Sequence, residues 1–367
     1  MKIAIRADGG TTAGMGHIMR TLVLAKELAR DNEVLYLCKG DSPQFFNLNS
    51  DCDLEKRWLT SGILKKISLI SSLEALKPLE GLKSKYINGI EKVLSQGFSI
   101  GIIEESSLME ALKSVKADLL ITDSYDVDEK YFEETKKLFS KTAYIDDMNK
   151  HYFDVDFIIN QNADGEDFSY RTNKDTRLLV GTKYVMLRDE FKNLSKKPIK
   201  EKPQDIMITV GGGDPFGITE RLLSYIEPLT YNFHVIIGPS FEGTAFIEKF
   251  NRDNVKFYYN PNMQHIMKIS DVAIAACGST LYELAACGVP TLGIIISENQ
   301  QGLAEKLHKK SIIKSLGWYD KIQVKDLIDN INQLMEDHEL RKIMSKRAMK
   351  LVDGKGAQRI IKELKNI

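Results

Sequence analysis

KIAIRADGGTTAGMGHIMRTLVLAKELARDNEVLYLC, residues 2–38, decides how the chain is read. Residues 2–7 form an apolar run with β-branched members that stops at Asp8-Gly9-Gly10, as a strand does. From Ile18 to about Asp31, apolar residues at 18, 19, 22, 23, 25 and 28 recur at helical spacing. A second strand-like run, EVLYLC, covers 33–38. This strand–loop–helix–strand order opens a parallel α/β sheet. The glycine-rich loop at its centre ends in a histidine, His17, where a phosphate-binding loop ordinarily continues with glycine or lysine.

Outward from that unit, the same form recurs. ADLLITDSYD (117–126), TAYIDDM (142–148) and VDFIINQNA (155–163) are apolar runs whose carboxyl ends turn polar. Open α/β sheets place ligands at such ends, so Asp123 and Asn160 become candidate site residues. Residues 41–115 carry helical stretches (SSLEALKPLEGLKSKYINGIEKVL, SSLMEALKSV) and a possible strand, FSIGII, without evident chemistry. NLSKKPIKEKPQ (193–204) is polar, basic and proline-containing, which marks a linker. A second strand rhythm follows: DIMITV, FHVIIGP, VKFYYN, VAIAAC and VPTLGIII, interleaved with helical segments. The expected organisation is an N-terminal Rossmann-like domain (1–192), the linker, and a C-terminal Rossmann-like domain (205–345). A helix over 346–367 is expected to pack back on the first domain. Two such halves place a cleft between them.

Bulk composition bounds the partners. Of 367 residues, 43% are hydrophobic and 28% charged, enough for packed cores. Lysine plus arginine, 51, balance aspartate plus glutamate, 51. A neutral chain has no global field to draw in nucleic acid or anionic lipid. Any anion must be held locally. Four separated cysteines without a CxxC pair point to neither zinc nor disulfides. Asp146-Asp147 lacks a third hard ligand at suitable spacing, so no metal is expected. The amino terminus does not read as a signal peptide and no apolar run reaches membrane-spanning length. The expectation is a cytoplasmic protein with no membrane insertion and no nucleic-acid partner. Nothing in the sequence sets the oligomeric state, and a monomer is expected.

Three loops carry candidate chemistry. GMGHIM (14–19) lacks the third glycine of the dinucleotide fingerprint and the lysine of a P-loop. It remains a turn, with Gly14 and Gly16, whose amides open a helix and suit an anion. At that terminus the helix dipole disfavours an imidazolium, which leaves His17 as a general base or as a histidine satisfied by its own loop. Gly211, Gly212, Gly213 and Asp214 form a second amide-rich turn after a strand, suited to phosphate or a sugar hydroxyl. A plain tight turn is the alternative. Gly278, Ser279 and Thr280 open a helix fit for a diphosphate, and Glu283 one turn in is placed for ribose hydroxyls. Thr280-x-x-Glu283 is equally a capping box. Asn299 and Gln300 end the next strand, as sugar ligands or as ordinary loop polarity.

Taken together these motifs resemble the PseG/SpsG family. The pattern R-x-D…G-x-G-H-x-x-R-x-x-x-L-A is met by Arg6, Asp8, Gly14, Gly16, His17, Arg20, Leu24 and Ala25. LLITDSYDVD, YIDDMNKHYFDVDFIINQNA, VGTKYVMLRDEF, VGGGDP and GSTLYELAACGVPTLGIIISENQQ follow in order. The resemblance implies an α/β, MurG-like GT-B fold, two Rossmann-like domains facing across a cleft. It further implies hydrolysis of a UDP-linked 2,4-diacetamido-2,4,6-trideoxy sugar in pseudaminic acid biosynthesis, with inversion, C–O cleavage and no cofactor. His17 would then activate water, with Tyr125 near it. Arg6, Asp8, Asp123 and Asn160 would line the site, and residues 211–214, 278–280, 283, 299 and 300 would hold the UDP-sugar. Ser124 stands where histidine is found in a relative, a departure that bears on the sugar. A glycosyltransferase of the same fold, using a hydroxyl acceptor, is the alternative.

Overall fold

The computed structural model describes residues 1–10, 14–40, 46–48, 51–60, 66–78, 84–241 and 243–365. These fall into two compact units. The first comprises Met1–Gln161, Asp167–Val180 and Ala357–Ile367, the second Asn162–Glu166 and Gly181–Gly356.

The first unit is built on an eight-stranded sheet: β1 (Lys2–Ala7), β2 (Glu33–Gly40), β3 (Ile67–Ile70), β4 (Ser99–Glu104), β5 (Leu119–Asp123), β6 (Lys141–Ile145), β7 (Phe157–Asn160) and β8 (Arg177–Val180). Their spatial order is β8-β7-β6-β5-β1-β2-β4-β3, parallel throughout except for β3 against β4. Strands of such a sheet are covered on both faces, which is why they read as unbroken apolar runs. Beside β1 the order reverses: β2 lies on one side and β5 on the other. Ala7 pairs with Asp123 there, so the two strands end together. Such a switch point opens a crevice beyond the carboxyl ends. Helix α1 (Gly16–Leu28) leaves β1 at that place.

Helix α2 (Ile87–Ser95) supports the same loop from residues 41–115. A Cβ on Gly89 would run into the Gly9 backbone, and one on Gly10 into the carbonyl of Lys85. The long helical stretch expected across 71–94 is shorter in the structure. A 3-10 turn at Leu73–Ala75 and a short strand at Leu76–Pro78 precede α2, because Pro78 cannot donate to a continuing helix.

The second unit holds six parallel strands: β9 (Asp205–Thr209), β10 (Asn232–Ile237), β11 (Val255–Tyr259), β12 (Val272–Ala276), β13 (Thr291–Ile295) and β14 (Ile313–Trp318). The order β11-β10-β9-β12-β13-β14 is the doubly wound Rossmann arrangement. Its helices include α3 (Ile218–Tyr225), α4 (Thr280–Cys287) and α5 (Gln301–Lys309). Alternation along β9 divides the core. Ile206 and Ile208 enter a cluster with Leu222, Phe233 and Leu327. Met207 enters another with Leu281, Leu284 and Leu303 on the opposite face.

Two boundaries differ from expectation. The chain changes unit at Val180/Gly181, and 193–204 belongs to the second unit. Arg341 ties that segment down by donating to the carbonyls of Lys200 (2.8 Å) and Glu201 (3.2 Å), while Lys200 Nζ reaches Asp271 at 3.0 Å. The carboxyl-terminal helix α6 is Gly356–Lys365 rather than 346–367. Gly354, at φ 73°, interrupts the helical pattern before it. In the first unit, Lys365 pairs with Asp31 at 2.7 Å. Among the described residues, no helix is long and apolar enough to cross a membrane.

Candidate functional site

In the first unit the switch point gathers His17, Arg20, Asp123, Tyr125 and Asp147. His17 is the second residue of α1 and is buried at 6% exposure. Its Nε2 lies 3.9 Å from Asp123 Oδ1, beyond hydrogen-bond reach. The reason is Arg20, one helical turn on. Its Nε and Nη2 each donate to Asp123 at 2.6 Å, and its Nη1 donates to Asp147 Oδ2 at 3.0 Å. The planar guanidinium fork thus holds both carboxylates, an arrangement that a lysine does not reproduce. These carboxylates hold the Arg20 charge firmly, against the cost of its burial. The imidazole instead meets the ring of Tyr125 edge-on, with centroids 4.5 Å apart.

Tyr125 rides on the loop after β5. Its hydroxyl donates to Asp147 Oδ2 at 3.0 Å, and the side chain remains half-exposed. Burial of the phenol end and the neighbouring Asp147 charge push its titration well above the ordinary tyrosine value. The loop is pinned from beneath. Arg6 Nη2 donates to Asp126 O at 3.0 Å, Tyr144 Oη donates to Ser124 O at 3.0 Å, and Lys39 pairs with Asp126. Asp8 accepts from the Lys39 amide at 2.8 Å.

The structure buries three of the expected ligands against protein partners. Arg6 is 1% exposed and lies over the Tyr131 ring at 4.8 Å. Asp123 is fully buried. Asn160 is also fully buried, and its amide donates to Tyr170 Oη at 2.9 Å. Tyr170 in turn donates to Asp146, which also accepts from the amides of Met148 and Asn149. Burial nonetheless pushes the Asp146 carboxyl above its ordinary value. At the loop itself, Gly14 adopts φ 68° and its carbonyl accepts from the Gly10 amide at 3.0 Å. A Cβ on either Gly14 or Gly16 would meet no described neighbour within 4 Å.

In the second unit the switch point lies between β9 and β12, where Thr209 pairs with Ala275. The loops 210–214 and 277–280 leave from these two strand ends. Gly211, at φ 112°, and Gly212 are pressed against β10's exit, since a Cβ on Gly238 would lie 2.6 Å from Gly211 O. Asp214 turns inward and caps α3, accepting from Ile218 N at 2.8 Å and Thr219 N at 2.7 Å. It acts on the helix rather than lining the loop.

No capping box forms at α4: Ser279 occupies the cap position with no side-chain bond to the helix. Glu283 takes Arg188 instead, from Nε at 2.7 Å and Nη2 at 3.0 Å. Burial pushes the Glu283 carboxyl up while this pair draws it down. Gln300 Oε1 accepts from Ile296 N at 3.1 Å, and its Nε2 stands 3.7 Å from where a Gly278 Cβ would be. Gln300 is thus brought to the Gly278 loop. Asn299 accepts from Ser297 Oγ at 2.6 Å.

Sequence reasoning did not assign Arg20, Asp147 or Arg188 to the site. Arg20 carried a signal, lying three residues after His17 on one helix face. Asp147 carried one too, at the polar carboxyl end of the TAYIDDM run, though its partner Tyr125 is 22 residues away; Arg188 did not, because its partner is 95 residues away in sequence. Among the described residues, no group of three His, Cys, Asp or Glu side chains is placed to hold a metal ion.

Residues 206–364 match the glycosyltransferase family 28 C-terminal domain. SpsG, a spore coat polysaccharide biosynthesis protein of Bacillus subtilis, is 24% identical over 100% of this chain and 98% of its own. The UDP-2,4-diacetamido-2,4,6-trideoxy-beta-L-altropyranose hydrolase of Campylobacter jejuni is 24% identical over 84% of this chain and 97% of its own. An uncharacterized protein of Methanocaldococcus jannaschii is 26% identical over 84% of this chain, which spans only 59% of that longer relative. Among solved structures, MurG of Acinetobacter baumannii superposes with a TM-score of 0.58 at 15% identity, covering 100% of this chain and 99% of its own. The chain therefore has a GT-B type fold of two Rossmann-like units, is similar in sequence to SpsG and to the altropyranose hydrolase, and matches the glycosyltransferase family 28 C-terminal domain over residues 206–364.

Proposed function

We propose that the protein hydrolyses a UDP-linked 2,4-diacetamido-2,4,6-trideoxy sugar, as the pseudaminic acid resemblance implies. The observation that carries this reading is the placement of His17. It sits at the first unit's switch point beside Tyr125, while Arg20 occupies the carboxylate that would otherwise bind the imidazole. His17 takes a proton from water as the water oxygen bonds to the anomeric carbon. The bond from that carbon to the diphosphate oxygen breaks, UDP leaves with the electron pair, and the configuration inverts. The second unit supplies the nucleotide site. Amides of Gly211–Gly213 and of the Gly278–Thr280 turn stabilise the developing diphosphate charge. Glu283, held by Arg188, accepts from ribose hydroxyls, and Asn299 and Gln300 contact the sugar or diphosphate. The relative named as a hydrolase supports this choice over transfer to an acceptor hydroxyl.

The test is UDP release from a panel of UDP-2,4-diacetamido sugars, without acceptor. Turnover that appears only when an acceptor is added would replace hydrolysis by transfer. His17→Asn is expected to lower kcat by about 10²–10⁴-fold while UDP still binds, measured by calorimetry. Undiminished turnover in this variant would remove His17 as the base.

A further inference from the structure

We propose that Asp147, clamped by Arg20, is a positioning residue that accepts the hydrogen bond of the Tyr125 hydroxyl and so turns the lone pairs of the phenol oxygen toward ligands. The inference rests on the hydrolase reading for its kinetic consequence, and on geometry for the rest. One oxygen, Asp147 Oδ2, accepts from both Arg20 Nη1 and Tyr125 Oη, each at 3.0 Å. Arg20 cannot swing away, because its other edge is held twice by Asp123 at 2.6 Å. Asp147 is 5% exposed and therefore has little room to turn.

A phenol has one proton. With that proton directed to Asp147, any contact from a ligand side is made to the oxygen lone pairs. A tyrosine phenol is protonated at neutral pH, and burial and the neighbouring carboxylate push the titration of Tyr125 higher still. Its use is geometric. A water that donates one hydrogen to His17 and the other to Tyr125 Oη has a lone pair left for the anomeric carbon. Two acceptors side by side orient such a water better than one. Asp147, buried beside the phenol hydroxyl, acts through the tyrosine.

A double-mutant cycle tests this. Tyr125→Phe and Asp147→Ala are each expected to lower kcat about 10- to 100-fold with KM changed less than about threefold. Together they should cost little more than Tyr125→Phe alone, since Asp147 has then nothing to direct. Asp147→Asn should recover most of the loss, because an amide oxygen at the same place accepts both bonds. It also guards against misfolding of the alanine variant. Independently of activity, the tyrosine Cζ carbon resonance that disappears in Tyr125→Phe should shift in Asp147→Ala. Additive losses, or an unmoved resonance, would overturn the proposal. A shifted resonance in a protein that releases no UDP would sink the hydrolase reading and leave the Asp147–Tyr125 arrangement standing.

Discussion

At the scale of single residues, the site depends on which carboxylates are already occupied. Asp123 lies near His17 yet belongs to Arg20, so the histidine is positioned by packing against Tyr125 and not by an aspartate bond. Asp146, next in sequence to Asp147, is different again. It sits under the site with one oxygen, Oδ2, accepting three hydrogen bonds, and burial raises its pKa. Its folded value exceeds the unfolded one, so its contribution to stability is complete below about pH 4 and is lost as pH rises through the folded value. Asp146→Asn keeps an oxygen for the Tyr170 hydroxyl and abolishes the ionisation. The stability of this variant relative to the parent is expected to rise between about pH 4 and 7, read by urea unfolding at stepped pH. Arg188 has the opposite character, as a partly buried cation whose loss strands Glu283. Arg188→Ala is expected to cost about 2–3 kcal/mol and to weaken UDP binding. Thermal unfolding and calorimetry report the two effects separately.

Among the elements, glycines decide how closely strand ends and loops approach. The run VGGGDP, with its adjacent glycines, reads as a phosphate-type turn from sequence. What holds its shape is Gly238, 25 residues beyond Gly213, at the exit of β10. Its missing Cβ allows the carbonyls of Gly211 and Gly212 to pass over it. The obstruction is backbone against backbone, so no side chain can move aside. Gly238→Ala is expected to destabilise the second unit by about 1–3 kcal/mol and to weaken UDP binding at least tenfold, leaving α1 and its histidine undisturbed. Calorimetric titration with UDP, alongside amide exchange across 210–214, distinguishes a shifted loop from a general loss of structure. The helix starting at Gly16 shows the reverse economy, with no described neighbour within 4 Å of a Cβ at Gly14 or Gly16.

Across the whole molecule, chain continuity and structural membership part company. Residues 162–166 belong with the second unit although the strand before them is in the first, and α6 belongs with the first although 181–356 precede it. Ala357, Ile360 and Leu364 on α6 are buried. Removing residues 356–367 is expected to destabilise the first unit by about 4 kcal/mol, on roughly 1.5–3 kcal/mol per buried aliphatic side chain. Limited proteolysis should then show new cuts within 1–161, the second unit staying resistant. Equal loosening of both units would count against this assignment.

Much of the architecture was written in local pattern. Runs such as KIAIRA, LLITD and FIIN follow from strand periodicity and sheet burial, and GMGH from the need to turn a strand into a helix. The Thr280-x-x-Glu283 spacing was also legible, but as a capping box it pointed to the wrong partner. Local spacing cannot weigh a bond to the helix amides against a guanidinium 95 residues away, and the bidentate Arg188 pair forms instead. Asp214 likewise was seen as a loop ligand and went to the α3 amides. What the sequence by itself determined was the alternation of strands and helices and the positions of the loops that end them. Only the tertiary structure decided which charges meet: it brings Arg20 of α1, Asp123 and Tyr125 at the end of β5, and Asp147 after β6 together from three chain segments, since a buried ion finds its counter-ion by place in the fold and not by distance along the chain.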